Sequence, residues 1–301
     1  MKKFKHIWIF SDSIAGHEIQ SKALASKLGD NIVLLHCTIR QPWLSFAPRI
    51  LPRFGKNIIW EKQQPDINQQ PNLIITCGRR MAAIGKYHKR QLNCKHIQIL
   101  NPGDNPEKYD ILVCPQHDGI KGNNVIASQG SLHTISVESL AKTNCTDPTD
   151  IVAVFLGNPG KYFFKTLDQL IQNISAHCPK QKVVVCGSRR TPQKYHDKIR
   201  TIFKESKSIW LSENDGENPY MELLACSQVL VVSADSINMV SEACASNKPV
   251  IAIGQEYISP KHQRFIRSIE QRLSSFEDIK IENEPLRTLD ITAKQIQEMM
   301  R

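Results

Sequence analysis

The 301-residue sequence has no apolar run approaching the ~20 residues that a membrane-spanning helix requires. The apolar stretch behind the basic N-terminus breaks at Ser11 and Asp12, too early for a secretion signal, and the chain is expected to stay in the cytoplasm. Its nine cysteines, at 37, 77, 94, 114, 145, 178, 186, 226 and 244, are scattered without a Cys-x-x-Cys pair. That spacing offers no disulfide framework and no zinc site, so the thiols are expected to be reduced and packed as small hydrophobes. Three phosphate-handling signatures are missing: Asp-x-Asp, Gly-x-Gly-x-x-Gly and the Walker loop. Their absence argues against a metal-held diphosphate, a dinucleotide and ATP-type phosphoryl transfer; no metal and no permanently bound cofactor are expected. Helix-turn-helix, RNP and zinc-finger patterns are also lacking, so nucleic acid is not an expected partner.

What is present is a globular composition, 41% hydrophobic and 23% charged, with a net charge of +10. The charge is uneven. Residues 1–150 hold 19 Lys/Arg against 12 Asp/Glu, and the remainder 20 against 17. Arg40, Arg49, Arg53 and Lys56 have no acidic neighbour and alternate with Trp43, Phe46, Phe54 and Trp60. Rings and cations together suit an anionic inner-membrane surface over residues 40–60. Packing of the rings on the core, with the arginines solvated, is an equal alternative.

Short β-branched runs recur at 6–10, 31–36, 72–76, 96–100, 111–114, 151–156, 182–186, 229–233 and 249–253. Most lead through turn residues into a helical pattern, which predicts α/β architecture with mostly parallel sheets. The polar stretch 141–150, with Pro148, is the candidate linker. It divides the chain into Rossmann-like domains at 1–147 and 148–301 facing across a cleft, the last helix being free to pack back on the first domain. Cys77-Gly78-Arg79-Arg80 and Cys186-Gly187-Ser188-Arg189-Arg190 each follow a strand. This echo reads as a sign of two related domains with an arginine pair on each rim.

The richest constellation lies in the second half. After the 229–233 strand come Ala234, Asp235 and Ser236, then a helix with Met239, Val240, Ala243 and Cys244 on its apolar face. Asp235 or Ser236 suits the N-cap, which leaves backbone N–H groups at the positive helix end for a diphosphate. Glu242 lies on the same helix, placed to accept two ribose hydroxyls. Ser188, Arg189, Arg190 and Thr191 add cations and hydroxyls after a strand, and arginine's planar fork suits phosphate. Asn218 and Tyr220 open a further helix, and Gly157 begins a glycine turn that brings backbone close to a phosphate.

In the first half, Gly16 permits a tight strand-to-helix turn, with His17 at the helix start and Gln20 beyond it. A neutral His17 imidazole can take a proton from an acceptor hydroxyl; Asp12 is the rival base. Arg79, Arg80, His117 and Asp118 follow other strands on the expected acceptor-side rim, where the His-Asp pair equally suits a plain turn.

These pieces, in order, resemble the mitochondrial-fission ELM1-like family and its bacterial relatives, described as outer-core glycosyltransferases. The matching residues are Gly16-His17 with Gln20, Gly78-Arg79-Arg80, Pro115 with His117-Asp118, Asn124-Val125, residues 188–192, Asn218-Pro219-Tyr220, and Asp235-Ser236 with Met239, Ser241, Glu242 and Ala243. The resemblance implies a GT-B fold and sugar transfer from a nucleotide-diphospho-sugar, a UDP-sugar first, to a lipid-linked core oligosaccharide of lipopolysaccharide type. The Ser236-to-Glu242 spacing is also similar to that of the lipid-linked GlcNAc transferase of peptidoglycan synthesis, where the glutamate holds the ribose. An inverting, metal-independent enzyme, peripheral on the inner membrane, is the implied reading; a sugar-nucleotide epimerase and a non-catalytic adaptor are the alternatives. Two departures stand out: Asn158 replaces the second glycine of a pair, and Ser13-Ile14-Ala15 replaces a glycine-basic-proline run.

Overall fold

Alternation of short β-branched strands with helices builds two parallel sheets, described here from a computed structural model covering residues 4–49, 55–61, 64, 66, 69–145, 150–158, 160, 163–280 and 283–301. Unit 1 comprises Met1–Thr134 and Thr288–Arg301; unit 2 comprises Ile135–Arg287. Arg53, Phe54, Pro148 and Pro159 lie outside the described residues.

Unit 1 runs β1 (Ile7–Ser11), α1 (Ala15–Leu28), β2 (Ile32–Ile39), the single turn α2 (Trp43–Phe46), β3 (Ile58–Trp60), β4 (Leu73–Cys77), α3 (Gly78–Gln91), β5 (Lys95–Ile99), β6 (Ile111–Pro115) and β7 (Val125–Ser128). The strand order is β3-β2-β1-β4-β5-β6-β7, parallel except where β3 runs against β2. Unit 2 runs α4 (Val137–Leu140), β8 (Ile151–Phe155), α5 (Phe163–His177), β9 (Lys182–Cys186), α6 (His196–Ile202), β10 (Ser208–Trp210), α7 (Tyr220–Cys226), β11 (Val229–Ser233), α8 (Ile237–Cys244), β12 (Val250–Ile253) and α9 (Pro260–Ser268). Its order is β10-β9-β8-β11-β12, parallel throughout. Strands β1, β4, β8 and β11 are buried at every residue, as expected of strands covered on both faces.

The last helix, α10 (Thr288–Met299), belongs to unit 1. Leu289, Ala293 and Ile296 recur at helical spacing, and all three are buried in the core formed with Ile7, Leu24, Ile75 and Ile97. Thr288 Oγ1 also donates to the Gln129 carbonyl.

Three expectations change here. The division falls at 134/135 rather than 147/148, and residues 141–145 are part of unit 2 rather than a linker. Leu140 is buried in the unit 2 core, and a disulfide joins Cys145 to Cys226 at the end of α7. The cysteines are therefore not all reduced: seven are free and two are bridged. An 81-residue separation between partners leaves no local spacing signal. The Cys-Gly-Arg-Arg echo is not a structural repeat either. Matching the two strand orders pairs β4 with β11 and β9 with β2, so the two arginine pairs follow non-equivalent strands.

Candidate functional site

Each strand order reverses direction once, between β1 and β4 in unit 1 and between β8 and β11 in unit 2. In open α/β sheets a crevice forms at such a reversal, beyond the carboxyl ends of the strands, because the flanking connections leave in opposite directions. The strongest candidate residues fall at these two places.

In unit 2, β8 leads into Leu156 and Gly157 while β11 leads into Ala234, Asp235 and Ser236. The Gly157 N–H donates to Ser233 Oγ (2.8 Å) and the Asn158 N–H to Asp235 Oδ2 (2.8 Å). A Cβ on Gly157 would stand 2.5 Å from that carboxylate oxygen, so the close approach needs glycine. Asp235 thus holds the turn instead of capping the helix. Ser236 is the cap: its Oγ accepts from the Met239 N–H at 3.4 Å. Met239 itself is buried and its side chain joins the unit 2 core.

Neighbouring loops complete the cluster. Thr191 Oγ1 lies 2.9 and 2.7 Å from the Leu156 and Gly157 carbonyls and accepts from the Ser188 N–H (2.9 Å), tying the 188–191 loop to the glycine turn. Arg190 is exposed, with its guanidinium 3.8 Å from Asp235 Oδ2; Arg189 is exposed without an ion pair among the described residues. Ser188, Arg189 and Thr191 face Trp210, Leu211 and Asn218 across a cleft of about 1060 Å³. Trp210 is buried, and its Nε1 donates to the Gly216 carbonyl (3.0 Å), which fixes the 211–217 loop. The sequence reading missed this loop. Its signal was a tryptophan at the end of a short strand, followed by Leu-Ser-Glu-Asn-Asp-Gly.

Glu242 projects from the middle of α8 and accepts a hydrogen bond from Tyr220 Oη at the start of α7. Burial raises the Glu242 pKa above the ordinary carboxylate value, and the Tyr220 contact only partly offsets that. Burial likewise pushes the Tyr220 phenol well up, with the Glu242 charge adding to it. Asn218 Oδ1 in turn accepts from the Tyr220 N–H (3.0 Å), and the Tyr220 ring packs edge-on against Phe155. Tyr220 is thus engaged with Glu242, while exposed Asn218 holds the α7 start and also lines the cleft.

In unit 1, Asp12 and His17 are brought together: His17 Nδ1 lies 3.2 Å from Asp12 Oδ1. The aspartate side chain is only 7% exposed and the imidazole 24%, so the carboxylate lies beneath a ring that reaches solvent. An ionised Asp12 accepts from Nδ1–H, leaving Nε2 of a neutral ring as a proton acceptor. The ring lies over Gly78, the first residue of α3: a Cβ there would stand 2.7 Å from His17 Cε1, and Gly78 has φ of +78°. Ser13 occupies the left-handed region at φ of +59°. Its Oγ contacts His36 Nδ1 (3.0 Å) and Glu61 Oε2 (3.2 Å), which hold it there.

The other acceptor-side candidates separate. Gln20 is buried and turned inward, with Nε2 on the Gly16 carbonyl (3.2 Å) and Oε1 accepting from the Leu132 N–H (3.4 Å). Arg79 and Arg80 are exposed on the first turn of α3, beside His17. His117 is buried in the turn after β6, with Nε2 3.8 Å from Asp118 Oδ1, and β6 stands two strands from β4. In the basic-aromatic segment, Trp43 and Trp60 pack against the core around Trp8 and Phe10, whereas Phe46 is 51% exposed; Arg40, Arg49 and Lys56 are exposed. No helix among the described residues is long and apolar enough to cross a membrane.

Two Rossmann-like units with these strand orders are the architecture of GT-B glycosyltransferases and of the epimerases built like them. The chain superposes on a UDP-GlcNAc 2-epimerase from Neisseria meningitidis, solved with UDP-GlcNAc, at a TM-score of 0.56 and 13% identity, covering 98% of this chain and 99% of that one. A glycosyltransferase from Rickettsia africae gives 0.53 at 8% identity over the whole of both chains. In sequence, the mitochondrial fission ELM1 family model matches residues 15–300, and the chain belongs to that family. The mitochondrial fission protein ELM1 of Arabidopsis thaliana is 26% identical over 91% of this chain and 71% of its own length. An uncharacterized protein of Rickettsia prowazekii is 26% identical over 89% of each.

Proposed function

We propose that the chain is a glycosyltransferase that takes a nucleotide-diphospho-sugar, a UDP-sugar first, on unit 2 and an acceptor hydroxyl on unit 1. One observation carries this reading. At the β8/β11 reversal, an α8 start capped by buried Ser236 lies beside Arg190, with a half-buried Glu242 further along the same helix. The diphosphate binds at the helix start with Arg189 and Arg190, whose charge stabilises the leaving group as it develops. Glu242 accepts the ribose hydroxyls, and the base enters the cleft by Trp210, Leu211 and Asn218. Asp235 keeps the glycine turn open; as an anion it does not itself contact the diphosphate.

On unit 1, His17 is the general base, with Asp12 fixing its tautomer and stabilising the imidazolium that forms. Attack on the face opposite the leaving group inverts the anomeric centre, with no metal in the sequence of steps. The acceptor is a lipid-linked oligosaccharide of lipopolysaccharide-core type, met by a peripheral protein whose 40–60 segment rests on an anionic membrane surface.

Calorimetric titration with a panel of sugar nucleotides tests the donor site. Binding of a UDP-sugar that is weakened about tenfold or more in Glu242→Gln is expected, the loss of one charge-assisted contact. No binding by any nucleotide sinks the donor assignment. Conversion of the donor without acceptor would show an epimerase in its place.

A further inference from the structure

Unit 1 holds a recess of about 550 Å³ that none of these roles uses, lined by Arg49, Asn101, Gly103, Asp104, Asn105 and Lys108. Its carboxylate is already engaged. Lys86 Nζ donates to Asp104 Oδ2 and Lys108 Nζ to Oδ1 (2.7 Å), so two lysines share one negative charge. The loop's other acid, Glu107, is exposed and bonded to Asn105 Nδ2 at 3.2 Å. Arg49 is exposed and makes no ion pair among the described residues. The same holds for Arg79, whose Nε lies 3.5 Å from where a Cβ on Gly103 would stand. Gly103 has φ of +71° and no side chain, so its backbone stays open to the recess. Lys86 reaches the Pro48 carbonyl (2.7 Å), which pins the residue before Arg49 to α3. Its pKa is lowered, by burial first and also by the like charges of Lys108 and Arg90, despite the contact with Asp104.

Arg49 and Lys108 line the recess and Arg79 reaches its Gly103 edge, so it carries net positive charge, and neither arginine has an ion pair among the described residues. Guanidinium forks match phosphate oxygens in pairs. We propose that this recess binds a phosphate group, gripped by Arg49 and Arg79 with Lys108 beside them. Arg79, which reaches Gly103 at the edge of the recess, follows Gly78, over which the His17 ring lies. On the reading of unit 1 as the acceptor side, the acceptor is phosphorylated, and the recess holds its phosphate while His17 meets its hydroxyl. The anion site itself does not depend on that reading.

The test uses the full chain at about 0.15 M salt, where exposed charges are screened beyond roughly 8 Å. Inorganic phosphate is titrated against wild type, Arg49→Gln/Arg79→Gln, Arg49→Lys/Arg79→Lys and Arg189→Gln/Arg190→Gln, with UDP titrated in parallel. The expected result is a loss of about tenfold or more in phosphate affinity for the Arg49/Arg79 glutamine pair, substantial recovery in the lysine pair, and unchanged UDP binding. Sedimentation with phosphatidate vesicles separates the sources. Pelleting that is lost with the glutamine pair assigns a lipid-borne phosphate; phosphate binding without pelleting assigns a soluble one. Wild-type phosphate affinity in the glutamine pair overturns the proposal. Failure of every variant to bind UDP removes the donor reading and leaves the phosphate result standing.

Discussion

Removing one oxygen from Tyr220 tests the arrangement around Glu242. Tyr220→Phe keeps the ring against Phe155 and deletes only the hydroxyl that donates to Glu242 Oε2. A hydrogen bond to a charged group contributes about 1.5–3 kcal/mol, and its loss here leaves a half-buried carboxylate poorly satisfied. The cost depends on pH. Glu242 has a folded pKa above its ordinary value of 4.5, so its contribution to stability is fully present below that value and is lost as pH rises through the folded pKa. The hydroxyl matters most where the carboxylate is ionised. Tyr220→Phe should therefore cost about 1.5–3 kcal/mol at neutral to mildly alkaline pH, and less in acid, where the lost bond is a neutral one. Glu242→Gln mimics the protonated form. It should match wild type in acid and exceed it in stability above the folded pKa, while losing nucleotide affinity. The folded pKa should also climb further in Tyr220→Phe, because the hydroxyl is the contact that lowers it.

Urea unfolding of the three proteins at acid and alkaline pH, read by tryptophan fluorescence, measures all of this. A pH-independent cost for Tyr220→Phe, or a Glu242→Gln protein less stable than wild type at alkaline pH, would refute the half-buried-carboxylate account. Nucleotide binding adds a functional readout: affinity should fall as pH drops through the Glu242 folded pKa, since a protonated carboxyl accepts ribose hydroxyls poorly.

Gly78→Ala puts a Cβ 2.7 Å from His17 Cε1 at φ of +78°; the left-handed backbone alone costs about 1–2 kcal/mol, and the His17 ring must leave Asp12, so both denaturant midpoint and transfer rate should drop. Gly157→Ala meets Asp235 Oδ2 at 2.5 Å and should weaken UDP binding more than stability, because the displaced carboxylate releases the Asn158 N–H and turns toward the diphosphate site; equal nucleotide affinity would contradict this. Alkylation of the unfolded, unreduced chain should label seven thiols, rising to nine after reduction, and nine labels from the outset would exclude the Cys145–Cys226 bridge. Closing a loop of 81 residues limits the unfolded chain by about 4.5 kcal/mol in the chain-entropy picture, so reduction should lower unit 2 stability by up to that amount.

The sequence revealed the strands that its longer apolar β-branched runs form, and each of the nine expected runs is a strand. The strands it did not reveal are β3, β7 and β10, which have three, four and three residues. At that length a strand exists by pairing with a neighbour, and no local periodicity marks it. The domain boundary was hidden for a related reason. Residues 132–137 contain neither proline nor glycine, whereas the polar stretch at 141–150 looks like a linker yet begins with residues held to α7. At the site, the Ser236 cap followed directly from residue type and spacing. The Tyr220–Glu242 bond did not, because it joins two helices through a strand and needs the fold before it can be seen. The Cys-Gly-Arg-Arg echo suggested paired domains through residues that are not equivalent; the kinship is carried by strand order.

That strand order also places the same kind of crevice in both units. In both units the first and fourth strands of the domain flank the reversal, β1 with β4 and β8 with β11, and each unit sends two loops over the same kind of crevice. What differs is which loop supplies a side chain and which supplies backbone. In unit 2 the first loop is glycine and the fourth strand brings an aspartate, so the carboxylate is spent on the Asn158 N–H and the α8 start remains open to an anion. In unit 1 the roles are exchanged: the first loop brings Asp12 and His17, and the fourth strand brings Gly78. The missing side chain there makes room for a ring, not for a phosphate. A glycine on one side of the reversal is thus the common feature, facing a carboxylate in unit 2 and an imidazole in unit 1.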